Sequence, residues 1–238
     1  MNIKFYQVGG CVRDQLMGLK SKDIDYCVEA PSFEDMREAV INRGCDIKVE
    51  KPEYVTIRAI DPILGGVDFV LCRKEGKYSD GRRPDSVTVG TLMDDLSRRD
   101  FTCNAIAKDD EGNIHDPFAG LQAIEEKILI CVGSVERLRE DSLRMIRAIR
   151  FAITKGFLLH PSIIEFLSDE GNVKLLRNVS PQRITEELNR CFAFDPYETI
   201  SVFQSLNNHL LKELFCLHHD HQSCRIRLEA TLKCKPKA

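Results

Sequence analysis

The sequence predicts an α+β fold, with strands concentrated in the first half of the chain and helices in the second. Residues 1–132 alternate short apolar runs rich in Val, Ile and Phe with turn residues, a pattern typical of strands in a mixed sheet. Residues 133–215 show apolar residues at a period of 3.6 and few glycines, which indicates helices. With 238 residues, 43% of them hydrophobic, the chain is long enough for one large or two small domains, and it is not a disordered protein.

In the first half, apolar runs bounded by turn residues predict the strands, and the amphipathic segments that follow them predict the helices. Strands are expected at 5–8, 24–28, 54–60, 67–72 and 128–132. Helices are expected at 10–17 and 32–43, and another is expected to start near 104–107.

In the second half, the helical period predicts four helices, at 135–153, 161–167, 181–192 and 196–206. Each of the last two begins with a proline, which suits the first helical position, and Ser180 and Asp195 precede them as candidate N-caps. We therefore predict a head at 1–132, a helical neck at 133–215 and a short C-terminal tail at 216–238.

The composition excludes some classes of protein. Lys plus Arg (34) and Asp plus Glu (37) leave a net charge of −3, so affinity for a nucleic acid requires a local basic patch. No apolar run reaches the roughly 18–20 residues of a membrane span, and the start of the sequence does not resemble a secretory signal, so a cytoplasmic protein is expected. Ten cysteines without a CxxC pair are expected to be reduced and mostly buried.

The first candidate site begins at a glycine turn. Gly9 and Gly10 lie between a predicted strand and a predicted helix, where backbone N–H groups can approach a phosphate and Arg13 adds a positive charge. An ordinary tight turn is the alternative, because the spacing is not that of a dinucleotide-binding fold.

Carboxylates on the next strands predict a metal site. Asp23 and Asp25 are two residues apart and share one face of their strand, where they repel each other unless a cation lies between them. A strand carrying Asp68 beside them would complete a cluster able to hold two Mg²⁺ ions about 4 Å apart for in-line nucleotidyl transfer. The alternative is a polar strand edge, with Asp68 on a solvent face.

Two arginine-rich segments follow. Arg98 and Arg99 are either a solvated pair or clamps for a triphosphate, in which case Asp100 or Asn104 could bond ribose hydroxyls. Further along the chain, arginines recur every three residues on a predicted helix that also carries Glu140 and Asp141. The recurring arginines are Arg144, Arg147 and Arg150.

The pair Asp141 and Arg144 suggests a base-selecting device. A carboxylate only accepts and a guanidinium only donates, so together they match the amino group and ring nitrogen of cytosine and adenine and reject uracil and guanine. Ordinary helix stabilisation by i to i+3 and i to i+4 ion pairs is the alternative.

Taken together, six ordered motifs resemble the class II tRNA nucleotidyltransferase and bacterial poly(A) polymerase family. They are VGGCVRD, KDIDYCV, RRDFTCNAIA, DPFAGL, EDSLRMIRAIRF and VSPQRITEEL, over about residues 6–190. The resemblance implies a polymerase-β-like nucleotidyltransferase head with a mixed sheet, followed by an all-helical neck. It implies template-independent addition of CMP, AMP or both, from CTP and ATP, to an RNA 3′ end, with tRNA CCA addition or repair as the expected reaction.

The resemblance also implies roles for individual residues. The metal acids are Asp23 and Asp25, joined by Asp68. Triphosphate and sugar contacts come from Gly10, Arg13, Arg99 and Asp100, base selection from Asp141 and Arg144, and further nucleotide contacts from Arg147 and Arg150. Residues 73–84 resemble the mobile loop that helps the family switch between C and A.

The chain departs from the family at its end, because members continue through body and tail helices that hold tRNA. The head motifs are shared by CCA-adding, CC-adding, A-adding and poly(A)-adding enzymes, so the choice among them stays open. An inactive nucleotide- or RNA-binding module that keeps the fold is the alternative of another class.

A cluster at 216–224 carries five potential zinc ligands, Cys216, His218, His219, His221 and Cys224. The spacing lacks the separated ligand pairs of structural zinc sites, and a phosphohydrolase site at His219 and Asp220 would need ligands further downstream. A zinc site here is therefore a minor alternative.

Overall fold

The computed structural model of the chain describes residues 3–21, 23–76, 85–206, 210, 213 and 214. The described residues form two compact units, one up to Glu126 and one from Lys127 onward. This division lies six residues before the boundary that the sequence pattern suggested. In the described part of the chain, no helix is long and apolar enough to cross a membrane.

The first unit is a mixed sheet with helices. Its strands are β1 Lys4–Val8, β2 Ile24–Glu29, β3 Asp46–Lys51, β4 Thr56–Asp61, β5 Gly65–Leu71, β6 Arg73–Glu75, β7 Val87–Val89, β8 Ala107–Asp109 and β9 Ile114–His115. Its helices are α1 Gly10–Leu16, α2 Phe33–Asn42, α3 Leu92–Ser97 and α4 Gly120–Glu125. Among the described residues, seven strands form the main sheet in the order β3-β4-β5-β2-β1-β8-β9, and β6 pairs with β7.

The pairing of β2, β4 and β5 determines the face of the sheet on which Asp25 and Asp68 lie. β2 and β5 run parallel, whereas β4 and β5 run antiparallel. On one face, Tyr26 and Phe69 pack with Ile57 and with Met36 and Val40 of α2 in a buried apolar cluster. Because side chains alternate along a strand, the acids of β2 and β5 lie on the opposite face.

The second unit is mainly helical. It contains α5 Arg137–Glu140, α6 Leu143–Lys155, α7 Pro161–Ser168, α8 Glu170–Val173, α9 Pro181–Phe194, α10 Pro196–Ser205 and the two short strands β10 Ile128–Leu129 and β11 Leu158–Leu159. The predicted N-cap Asp195 is confirmed, because its side chain accepts hydrogen bonds of 2.9 Å from the backbone N–H groups of Tyr197 and Glu198. The neck expected at 133–215 is helical except for the two-residue strand β11, which pairs in parallel with β10, in the segment where a strand was predicted.

Two helix predictions were wrong. The segment 135–153 is two helices, because Asp141 takes an extended conformation and its carboxylate accepts from the backbone N–H of Leu143 at 3.1 Å. The helix expected near 104–107 is a single turn of 3-10 helix over Thr102–Asn104, followed by β8. There, pairing with β1 overrides local helix propensity.

The sequence pattern missed several elements of the first unit, of which β3 is the longest strand. Its residues alternate polar and apolar, as an edge strand should, and α3 begins with a capping box between Thr91 and Asp94. The other missed elements are the short strands β6, β7 and β9 and the helix α4.

Candidate functional site

The register brings two of the predicted acids together. Asp25 of β2 lies directly opposite Asp68 of β5. Asp23, just before β2, is exposed, and it lines with Asp68 a cleft of about 290 Å³. The three predicted acids therefore come from one region of the sheet.

Burial and two neighbouring carboxylates disfavour the charged form of Asp25. Burial raises the pKa of Asp25 above its usual value, and the charge of Asp68 raises it further, with a smaller contribution from Asp23. Arg99 and Arg58 oppose this shift without cancelling it. A cation placed at these carboxylates would relieve the repulsion.

Arg58, a residue that the motifs did not single out, forms a bidentate ion pair with Asp68. Its Nε donates to Oδ1 at 2.7 Å and its Nη2 to Oδ2 at 2.6 Å. Across the described ranges, no three His, Cys, Asp or Glu side chains form a group that could hold a metal ion, so the expected three-carboxylate cluster is not assembled in this arrangement. The alternation in β4, where Ile57 and Ala59 are buried, could have placed Arg58 on the face of the acids.

The glycine turn has a geometric requirement. Gly9 has φ of +75° and ψ of −130°, a conformation that L side chains rarely adopt, and a Cβ there would lie 2.7 Å from Nη1 of Arg99. Gly10 is the first residue of α1. The positive φ is what requires glycine at position 9, because the Arg99 guanidinium is the far end of a flexible side chain and could move away from a Cβ.

Arg13, on α1, is buried in a polar network. Its guanidinium donates to Asp14 at 2.9 and 2.7 Å and also to Oδ1 of Asn104. Asn104 in turn donates at 2.9 Å to Asp100, whose carboxylate also accepts from the backbone of Phe101 at 2.8 Å. The network joins the glycine-turn motif to the RRDFTCNAIA motif.

Asp95, another residue the sequence motifs missed, anchors the two adjacent arginines. Its fully buried carboxylate accepts from Arg98 at 2.9 Å and from Arg99 at 2.8 Å. Burial alone would raise the pKa of Asp95, but the charges and hydrogen bonds of Arg99 and Arg98 outweigh it and lower the pKa. The sequence does carry a signal for Asp95, because an acid three and four residues before two arginines can pair with both on one helical turn.

The DPFAGL motif has a structural role. The Asp116 carboxylate accepts from the backbone N–H groups of Gly120 at 2.7 Å and Leu121 at 2.9 Å, at the start of α4. A Cβ on Gly120 would lie 2.3 Å from the carbonyl oxygen of Thr102, so α4 packs closely against the turn that carries Asn104.

In the second unit, the two residues of the expected base-selecting pair have other contacts. Asp141 accepts from Nη2 of Arg183 at 3.2 Å, which links the start of α6 to α9. Arg144 is mostly buried, and its Nη1 donates at 3.0 Å to both the Glu140 carboxylate and the carbonyl of Arg137. The Glu140–Arg144 ion pair that the helix-stabilisation alternative predicted is present, but it joins the end of α5 to α6 and does not lie within one helix.

Arg147 and Arg150 face a common anion, Glu187 of α9. Nη1 of Arg147 lies 3.9 Å from a Glu187 oxygen, Nε of Arg150 donates to the other, and Arg190 reaches the same carboxylate at 3.4 Å. The Glu187 side chain is 7% exposed. Burial, which outweighs the attraction of Glu187, lowers the pKa of Arg150. Glu187 lies in the motif VSPQRITEEL, to which the sequence pattern by itself assigns no role.

Comparisons with known proteins decide the family. The family model described as the Poly A polymerase head domain matches residues 5–130. The chain belongs to this family.

Relatives of this family member are CCA-adding enzymes. Those of Geobacillus kaustophilus and Lacticaseibacillus paracasei are 39% and 40% identical over 190 and 187 residues, covering 79% and 78% of this chain. Each match covers 45% of the relative, so the chain spans about half the length of the curated relatives it matches.

Solved structures agree with this family membership. The Bacillus stearothermophilus CCA-adding enzyme in complex with CTP has a TM-score of 0.77 at 31% identity, over 95% of this chain and 53% of that one. The Thermotoga maritima CCA-adding enzyme complexed with tRNA has a TM-score of 0.73 at 25% identity, over 96% and 52%. The predicted family and the α+β fold with a mixed sheet are confirmed.

The cysteines in the described part of the chain form no disulfides. The described cysteines are free and buried, as expected: Cys11, Cys27, Cys45, Cys72, Cys103, Cys131 and Cys191. Most of the predicted mobile loop (77–84) and the predicted zinc cluster and tail (216–238) lie outside the described residues.

Proposed function

We propose that this member of the poly(A) polymerase head family is a template-independent RNA nucleotidyltransferase. It transfers CMP and AMP from CTP and ATP to the 3′ end of tRNA and restores the CCA end. The observation that carries the proposal is the register of β2 and β5, which sets Asp25 beside Asp68 at a cleft that Asp23 also lines. The CCA-adding relatives, one of them solved with CTP and another with tRNA, support this substrate class.

The carboxylates fit a divalent cation chemically, because carboxylate oxygens are the ligands that Mg²⁺ prefers. Asp23 and Asp25 would hold the metal, and Asp68 would join them once Arg58 releases it. When bound, Mg²⁺ would activate the attacking hydroxyl and neutralise charge on the triphosphate. The RNA 3′ oxygen bonds to the α-phosphorus of the NTP, and the bond to the departing pyrophosphate breaks.

Residues of the first unit bind the triphosphate. The backbone at Gly9 and Gly10 approaches the phosphates at the start of α1, while Arg99, held by Asp95, adds positive charge. Arg13, Asp100 and Asn104 support the turn and the ribose through their buried network. These residues act on phosphate and sugar, so they serve CTP and ATP alike.

Residues of the second unit select the base. Asp141 accepts the amino group of cytosine or adenine and Arg144 donates to the ring nitrogen, while Arg147 and Arg150 add nucleotide contacts. Arg183 fixes the Asp141 carboxylate, which makes the acceptor rigid. A protein-borne template of this kind explains how the product sequence is set without a nucleic-acid template.

The test of the function is incorporation of each NTP separately into tRNA transcripts that end before CCA, after C or after CC. We expect Mg²⁺-dependent addition of C, C and A in that order, and no addition by Asp25→Asn. Asp46→Asn is the matched control, because Asp46 is an exposed acid at an edge of the same sheet. Unlimited A addition would favour a poly(A) polymerase, and nucleotide binding without transfer would favour an inactive module and refute the proposal.

Base selection has its own test in Asp141→Ala. Because rejection of uracil and guanine rests on an acceptor facing their carbonyl, the variant should lose rate with CTP and ATP and lose bias against UTP and GTP. Single-turnover incorporation of all four NTPs measures this. An unchanged ranking of the four would refute the role of Asp141, and Glu136→Ala, an exposed acid before α5, controls for loss of charge.

A further inference from the structure

Arg58 stands at one end of a row of charges on the sheet. On β4 it lies opposite Asp68 of β5, and Asp68 lies opposite Asp25 of β2. Residues opposite each other on neighbouring strands project from the same face. Asp68 therefore lies between a cation on one side and a second carboxylate on the other.

The contact between Arg58 and Asp68 uses both carboxylate oxygens. The guanidinium donates from Nε and Nη2, at 2.7 and 2.6 Å, in the parallel fork that binds a carboxylate most specifically. A metal ion shared with Asp25 needs those same oxygens. Arginine and a metal therefore compete for Asp68.

The guanidinium of the pair is accessible to water. The Arg58 side chain is 66% exposed and that of Asp68 is 27% exposed, so water can solvate the guanidinium when it leaves the carboxylate. A second cleft, of about 240 Å³, lies beside the pair and is lined by Val49, Lys51 and Thr56 as well as by Arg58 and Asp68. When the guanidinium leaves Asp68, this cleft offers space for it away from Asp23.

We propose that Arg58 is a positioning residue that keeps the Asp68 carboxylate in an ion pair when no metal is bound. Asp68 then joins the metal site only when a divalent cation displaces the guanidinium. The inference rests on the proposed function, because it assigns the order in which the acids take up the metal. Binding of the cation is weakened by the cost of displacing Arg58, and repulsion among the acids is reduced before the cation arrives. Release of Asp68 is thus coupled to loading of the metal.

The test is binding of Mn²⁺ to the full chain without nucleotide, followed by electron paramagnetic resonance. We expect Arg58→Gln to bind Mn²⁺ about two- to fivefold more tightly than the wild type, the range that an exposed ion pair supplies. Arg58→Lys keeps the charge and loses the fork, so it should show part of the gain. Arg37→Gln is the matched control, because Arg37 forms an exposed pair with Glu50 at 2.9 Å, and its affinity for Mn²⁺ should equal that of the wild type.

Two results would overturn the role of Arg58. One is unchanged or weaker Mn²⁺ binding by Arg58→Gln. The other is an Arg58→Lys variant that binds Mn²⁺ with wild-type affinity while Arg58→Gln binds it more tightly. The tighter binding would then come from loss of a nearby positive charge and not from loss of the hydrogen bonds to Asp68. The Mg²⁺ concentration for half-maximal CTP incorporation should fall in Arg58→Gln by the same factor as the Mn²⁺ dissociation constant.

Failure of this inference is distinguishable from failure of the proposed function. A wild-type chain that binds Mn²⁺ and incorporates CTP, with variants that bind no more tightly, refutes only the role of Arg58. A wild-type chain that neither binds Mn²⁺ nor incorporates a nucleotide refutes both. Thermal unfolding without metal checks that each variant is folded, and we expect it to be so because Arg58 is mostly exposed.

Discussion

Replacing Asp95 by Asn removes one charge and almost no volume from the centre of the arginine anchor. The Asp95 side chain is 1% exposed, while Arg98 and Arg99, which it binds, are 21% and 18% exposed. Removing one partner of a buried ion pair costs about 3–5 kcal/mol, because the remaining charge is left without compensation. Both arginines retain some contact with water and Arg98 keeps an ion pair with Glu75 at 3.3 Å, so we expect the low end, about 3 kcal/mol.

Thermal unfolding measures this loss. For a chain of this size, about 3 kcal/mol corresponds to a fall in Tm of about 6–12 °C. Glu50→Gln is the control, because Glu50 pairs with Arg37 at an exposed site and such pairs contribute about 0–1 kcal/mol. Similar Tm values for the two variants would refute the anchoring role of Asp95.

The pH dependence supplies a second check. The pKa of Asp95 is lowered in the folded protein, so its contribution to stability is complete above the unfolded value of about 3.9 and is lost as the pH falls through the folded value. The difference in Tm between wild type and Asp95→Asn should therefore be full at neutral pH and shrink below about pH 4. A difference that stays constant down to pH 3 would contradict the charge-based explanation.

Two further predictions concern the turn and the second unit. Gly9→Ala should destabilise the protein by about 1–3 kcal/mol and weaken CTP and ATP binding equally, because alanine is strained at that φ and its Cβ meets Arg99. Urea unfolding and nucleotide titration measure both, and a loss confined to one nucleotide would contradict a phosphate role. Glu187→Gln should cost about 3 kcal/mol in urea unfolding, because Arg150 and Arg147 lose their buried counter-ion. A cost below about 1 kcal/mol would show that these arginines are compensated elsewhere.

Local periodicity accounts for what could be predicted of the fold. Strand alternation placed Asp23 and Asp25 on one face, and the apolar face of β2 packs as that alternation requires. A proline preceded by a capping residue located the start of α10 to the residue. Such features depend only on neighbours along the chain, so a single sequence displays them.

Helix length was harder to predict, because it depends on polar side chains that compete with the backbone. The periodicity of 135–153 continues through Asp141, but its carboxylate bonds to the backbone N–H of Leu143 and ends one helix before the next begins. Periodicity does not report such a bond. The same competition explains why boundaries were less certain than the existence of elements.

The sequence alone determined the family, the order of the strands and helices at the site, and the acids and arginines that the motifs carry. Only the tertiary structure decided the partners of those side chains: Arg58 on Asp68, Asp95 beneath Arg98 and Arg99, and Glu187 between Arg147 and Arg150. The contact of Arg58 depends on the register of β4 and β5, and the contacts of Glu187 depend on the packing of α9 against α6. The contacts of Asp95 depend on the burial of α3. The physical reason is that a charge acquires its partner, and the cost of losing it, from the burial and register that the folded chain creates.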